Sequence, residues 1–110
     1  MTDVPQIQQG TILWAELAQP FGRRPVLILT RDAVVGRLSS LTVAPITRTI
    51  RNIPTEVVLE PVDGVPTVCA VSLDNIFTLP RAALRTFISN LNRNRMLQVF
   101  TAIRVAFDMP

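Results

Sequence analysis

Eleven arginines and no lysine carry all the side-chain positive charge of this 110-residue chain, against eight carboxylates, for a net charge of +3. Arginine offers a planar, permanently charged fork of donors that matches phosphate oxygens, although a GC-rich genome also enriches arginine over lysine. Histidine and tyrosine are both absent, which removes the usual general base, the usual zinc ligand and a phenolic acid together. Histidine-dependent catalysis is excluded. The carboxylates are scattered, with no Asp-x-Asp or Glu-x-x-Glu pair to seat two metal ions, and one cysteine is too few for structural zinc. Cys69 lies in an apolar run with no imidazole to activate it, so it reads as a small buried hydrophobe and fits a reducing compartment. Catalysis, if present, has to be built from Arg, Asp, Glu, Ser and Thr.

The chain that must position them reads as a series of short strands. Residues 11–17, opened by Gly10, have β-type composition and are broken by Pro20-Phe21-Gly22. Residues 24–30 form an apolar run headed by Arg23-Arg24, whose Pro25 demands the strand's start or an edge. Leu41-Thr42-Val43-Ala44 gives a third strand closed by Pro45. The polar stretch Thr47-Arg48-Thr49-Ile50-Arg51-Asn52 then reads as a loop over a sheet face. Residues 55–60 and 68–73 are two further strands around an Asp63-Gly64 turn. Leu79-Pro80-Arg81-Ala82-Ala83-Leu84 predicts a short helix. A terminal helix capped near Asn92 is predicted to bury Met96, Phe100, Ile103 and Phe107. Trp14 could stack on a base, but on a strand of mostly apolar residues it reads as core and takes no site role.

Apolar residues make up 48% of the chain and charged residues 17%, an ordinary globular balance. The length suits one domain, 1–110, and so apolar a small domain needs more of its surface covered, for which oligomerisation is the simple route. No apolar run approaches the roughly 18 to 20 residues that span a bilayer. The opening MTDVPQIQQG has neither the basic nor the apolar region of a secretory signal. A cytoplasmic protein without a membrane anchor is expected. Short strands followed by helices predict a mainly β fold with some α, a strongly bent, barrel-like sheet.

Three segments give the chain a family likeness. Gly10-Thr11-Ile12-Leu13-Trp14 is followed by Gly22-Arg23-Arg24-Pro25-Val26-Leu27-Ile28-Leu29. Val43-Ala44-Pro45-Ile46-Thr47-Arg48-Thr49-Ile50-Arg51 is similar to a V-x-P-I-T-S-x-I-R segment, and Leu73-Asp74-Asn75-Ile76-Phe77-Thr78 to L-D-Q-I-R-T. In this order and spacing they resemble the MazF/PemK (Kid-like) toxins of type II toxin-antitoxin systems. The resemblance implies an SH3-like small barrel of about five to seven strands with short helices and a C-terminal amphipathic helix. It also implies a homodimer, a cognate antitoxin, and metal-independent, sequence-selective cleavage of single-stranded RNA to a 2′,3′-cyclic phosphate and a 5′-hydroxyl. Neither metal nor other cofactor is implied.

The resemblance puts Arg24 and Thr47 on the family's catalytic positions, and the chemistry agrees. A guanidinium can neutralise a phosphorane while a hydroxyl bonds a non-bridging oxygen. Arginine is a poor base because its pKa exceeds about 12, so another group, a water or the substrate takes the 2′-hydroxyl proton. Asp74 is the candidate, with an acceptor that fixes the following loop as the other reading. Arg23, Arg48, Arg51 and Asn75 are expected to contact RNA. The loop 18–23 is shorter than the family's G-S-E-Q-bearing loop, and Asn75 and Phe77 replace its Gln and Arg, so the cleavage sequence does not carry over. Two alternatives stay open: a CcdB-like toxin acting by protein binding, and a catalytically inactive family member.

Overall fold

The computed structural model describes residues 6–110; the first half of the segment read for a signal lies outside them. Seven strands and two α-helices follow one another as β1 (Thr11–Glu16), β2 (Arg23–Ile28), α1 (Asp32–Val35), β3 (Ser40–Thr47), β4 (Glu56–Leu59), β5 (Cys69–Ser72), β6 (Phe77–Pro80), β7 (Leu84–Asn90) and α2 (Arg93–Ala106). All strand pairings are antiparallel, in the order β4-β5-β3-β2-β1-β7, with β6 on the first half of β3. The mainly β expectation holds. The sheet is not closed into the expected barrel, since β4 and β7, the two ends of its path, do not pair with each other.

Strand alternation sends successive side chains to opposite faces, and here both faces are covered. Ile12, Leu27, Ala44, Leu59 and Val71 pack beneath α2, while Leu13, Val26, Ile28, Leu41 and Val43 form a second core with Val35 of α1. That double burial explains the unbroken apolar run Val26-Leu27-Ile28, every residue of which is 0% exposed.

Pro45 does not close β3, which continues to Thr47. Thr42 exchanges bonds with the β2 side, accepting from Leu29 N–H and donating its own N–H to Thr30 Oγ1. By alternation Pro45 faces the other edge, where β3's partner changes from β6 to β5. Its missing donor is not needed there. The predicted helix around Pro80 is a single 3-10 turn, Arg81–Ala83, between two strands that composition concealed. Residues Thr86, Phe87 and Ile88 carry β propensity, and the bulged pairing of β7 with β1 draws them into the sheet.

Asn92 caps α2 by accepting from Arg95 N–H at 2.9 Å, as expected. The buried stripe is rotated, however, to Met96, Val99 and Ala102, with Ile103 and Ala106 beside it. Phe100 and Phe107 are 36% and 60% exposed. Small Ala102 lets the helix lie close to the sheet, and that approach selects its face over the larger phenylalanines.

The gap between β4 and β7 is spanned by side chains. Arg95 Nε donates to Asp63 Oδ1 at 3.0 Å, and Ser89 Oγ of β7 donates to the Asp63 carbonyl at 2.7 Å. Gly64, at φ +92°, rests against Ser89 so closely that a Cβ there would lie 2.3 Å from its hydroxyl. The Arg95 hydrogen bond holds the Asp63 carboxyl below its ordinary range, helped by the Glu60 backbone and opposed by burial. A depressed carboxylate stabilises the fold above its unfolded pKa, and that contribution is lost as pH falls through the folded value. Urea midpoints should therefore decline on acidification below about pH 4, and Asp63→Asn should flatten part of that limb. An unchanged acid limb in Asp63→Asn would show the pair contributes nothing.

Candidate active site

Arg24 and Thr47 arise at the same end of two core strands. β2 and β3 are paired with Val26 opposite Pro45 and Leu27 opposite Ala44. Carrying that register outward sets Arg24 opposite Thr47 on one face. The buried Val26-Leu27-Ile28 segment anchors Arg24, whose Nε donates to the Phe21 carbonyl at 3.3 Å. Thr47 Oγ1 accepts from Thr49 N–H at 3.1 Å. Its own hydroxyl hydrogen is left for an external acceptor.

Two clefts flank this pair, of about 480 Å³ and about 810 Å³, and Arg24, Thr47 and Phe21 line both. The pair forms a ridge. In the smaller cleft stand Arg23, Arg48 and Trp14 over apolar Ile46 and Ile88. The larger holds Arg51, Asn75 and Ser72 against an apolar wall that includes Leu17, Phe77 and Leu79. Asn75 Nδ2 donates to Ser72 Oγ at 2.8 Å, and Glu56 Oε1 accepts from Arg51 N–H at 2.9 Å, tying the basic loop to β4. Arg24, Thr47, Arg23, Arg48, Arg51 and Asn75 are thus brought to one region.

Asp74 is not among the residues lining either cleft. Its Oδ2 accepts from Thr55 Oγ1 at 2.5 Å, so it tethers the residue entering β4. The geometry favours the loop-fixing reading over a base. Trp14 also departs from expectation, being half-buried in the smaller cleft rather than core. The Arg23 guanidinium carbon lies 4.7 Å from the centroid of its ring. The signal was exposed Glu16, the next residue on Trp14's side of β1, which shows that this face runs out to solvent. Phe21 was missed altogether. It is 59% exposed because the tight 18–22 turn, closed by Leu17 N–H on the Gly22 carbonyl, leaves no core to receive it.

The ion pairs among the described residues join Arg95 to Asp63 and Glu60. None of the arginines at the clefts is neutralised among those residues, which leaves a concentrated positive field for an anion. Burial and nearby Asp63 push the Cys69 thiol up. It stays protonated at neutral pH and is no nucleophile. Among the described residues no three cysteine, aspartate or glutamate side chains group to hold a metal ion. The arrangement can bind a phosphodiester, stabilise charge growing on its phosphorus and orient it between the clefts.

Residues 8–107 match the family model described as PemK-like, MazF-like toxin of type II toxin-antitoxin system. "Probable endoribonuclease MazF5" of Mycobacterium tuberculosis is 43% identical over 109 residues, covering 98% of this chain and 97% of that protein. The solved structure of Mycobacterium tuberculosis toxin MazF-mt6 superposes with a TM-score of 0.84 at 40% identity, covering 91% of this chain and 98% of that one. A mycobacterial endoribonuclease in complex with its cognate antitoxin gives a TM-score of 0.84 at 26% identity, covering 96% and 98%.

Proposed function

We propose, from the premise that this chain belongs to the PemK-like, MazF-like toxin family of type II toxin-antitoxin systems, that it is an endoribonuclease cleaving single-stranded RNA without a metal. The observation that carries the proposal is the Arg24–Thr47 pair on a ridge between two clefts rimmed with unneutralised arginines. RNA laid across the ridge has a phosphate at the pair and bases on either side. The 2′-oxygen attacks phosphorus, the bond to the 5′-oxygen breaks, and a 2′,3′-cyclic phosphate forms. Arg24 neutralises the phosphorane and hydrogen-bonds the departing 5′-oxygen, which takes a proton from water to become the 5′-hydroxyl, while the Thr47 hydroxyl bonds a non-bridging oxygen. The 2′-proton leaves to a water or to the substrate, because the guanidinium is too weak a base.

The test is to incubate purified protein with a long single-stranded RNA in excess chelator and map the new ends. Cleavage at a short recurring sequence, leaving a 5′-hydroxyl, is expected. Cleavage abolished by chelator and restored by a divalent ion overturns the metal-free mechanism, and a complete lack of cleavage turns the reading to a toxin that acts by binding alone.

In this proposal the 110 residues act as one toxin domain in the cytoplasm, as a homodimer whose RNA channel carries arginines from both protomers. Growth inhibition by mRNA cleavage is relieved by a cognate antitoxin, a partner that the mycobacterial complex supports. The larger cleft, with Arg51 at its rim and Phe77, Leu79 and Leu17 in its wall, suits an antitoxin tail of carboxylates and large apolar side chains. Such a tail should compete with RNA in a fluorescence anisotropy titration. Simultaneous binding of both would place the antitoxin elsewhere.

A further inference from the structure

We infer that the exposed face of Trp14, capped by Arg23, is a nucleobase subsite for a nucleotide next to the cleaved phosphate. The inference rests on the endoribonuclease reading and adds to it a residue that selects for the presence of a base. Trp14 is the chain's single tryptophan and sits between buried Leu13 and Ala15, two residues short of the strand's exposed end, and it lines the smaller cleft. Pro25 lies directly across the sheet from it and makes a flat apolar neighbour. Arg23 occupies the diagonal position, opposite Glu16, and lays its guanidinium over the indole at 4.7 Å.

A guanidinium plane and a nucleobase plane use an aromatic face in the same way. In the free protein Arg23 therefore holds the stack that a base would take. Arg23 is exposed and makes no ion pair among the described residues, so nothing there fixes its head over the ring. It can lift to admit a base and close on its second face, giving a Trp14–base–Arg23 sandwich. The cleft, about 480 Å³, has apolar walls from Ile46, Val65 and Ile88, with the Thr67 hydroxyl as a polar group. That volume is within the roughly 300 to 1,000 Å³ usual for small-molecule sites. Because Arg24 and Thr47 border the same cleft, a base seated there belongs to a nucleotide flanking the phosphate they hold.

The chain reports on this site itself, since tryptophan emission comes from Trp14 alone. The probe is an oligonucleotide of the mapped cleavage sequence, made uncleavable by a 2′-deoxy sugar at the cut. It should quench Trp14 fluorescence, and replacing one flanking nucleotide with an abasic residue should abolish the quench. On the cleavable version, the same abasic change should lower kcat/KM roughly 5- to 100-fold, the range of one base stacked on an aromatic ring. Trp14→Ala should lower kcat/KM on intact RNA similarly and cleave intact and abasic RNA equally, whereas Trp14→Phe should retain most of the discrimination. A merely structural Trp14 would slow both substrates alike and leave their ratio unchanged. Should Trp14→Ala fail to fold, the abasic series on the unaltered protein decides the matter. RNA cleavage with no flanking position sensitive to base removal, or quenching that survives every abasic change, overturns the subsite and leaves the endoribonuclease reading standing. No cleavage of any RNA removes both.

Discussion

Arg24→Ala should lower the rate of RNA cleavage by about 100- to 1,000-fold, the usual cost of deleting one preorganised donor aimed at developing transition-state charge, while leaving fold and stability intact. The side chain is exposed and makes one long hydrogen bond to a backbone carbonyl, so little packing is lost. The strand beneath it is held by Val26, Leu27 and Ile28, which the substitution leaves in place. Arg24→Lys should recover little, because a point ammonium cannot span the non-bridging and departing oxygens as a planar fork does. Thr47 calls for a different comparison. Its oxygen also receives Thr49 N–H, so Thr47→Val disturbs the loop as well as deleting the donor, whereas Thr47→Ser keeps both functions and should stay active. Single-turnover rates with saturating enzyme isolate the chemical step. Full activity in Arg24→Ala would move the reaction away from the ridge.

The second large effect is on binding. Arg23, Arg24, Arg48 and Arg51 stand at the clefts without an ionic partner among the described residues. If three or four of them neutralise phosphates, the logarithm of affinity should fall with the logarithm of salt at a slope of about −2 to −3. Each phosphate on a single strand contributes about −0.7. Between about 50 and 200 mM salt that is roughly a 20- to 50-fold loss of affinity, measurable by anisotropy with an uncleavable oligonucleotide. Arg48→Ala and Arg51→Ala should each make the slope shallower by about 0.7. A slope near zero would mean that the ligand of these arginines is not a polyanion.

The candidate site was read from the family resemblance, which puts Arg24 and Thr47 on the family's catalytic positions, and the strand pattern alone would not have singled them out. The sequence did show Arg23-Arg24 before an apolar strand-like run and Thr47 after a segment of β character, and the burial of that run on both faces came only with the fold. Antiparallel pairing then joins the end of one to the start of the other. Asp74 kept two readings in the sequence because its position after β5 does not reveal its partner, Thr55, which lies 19 residues away. Trp14 was misjudged by composition, since its neighbours on β1 are apolar and only the rim position of the strand exposes it. The strands β6 and β7 were hidden by Pro80 and the alanines after it. That helix signal is confined to one 3-10 turn, and the β-prone residues on either side of it pair with β3 and β1. Register against a distant strand is a tertiary property that local composition does not report.

The ridge and its surroundings come from different kinds of backbone. Arg24 and Thr47 extend directly from the paired core strands, as do the strand-borne walls around Trp14 and Phe77, whereas Phe21 and Pro66 belong to separate connections between strands. Substitutions, insertions or deletions in either connection can reshape the part of the wall proposed to meet bases without shifting the pair proposed to meet phosphate. Such an architecture is readily diversified: related chains can part ways in the RNA words they cut while conserving the manner of cutting, and a laboratory library confined to these connections should yield altered target preference far more often than inactive enzyme.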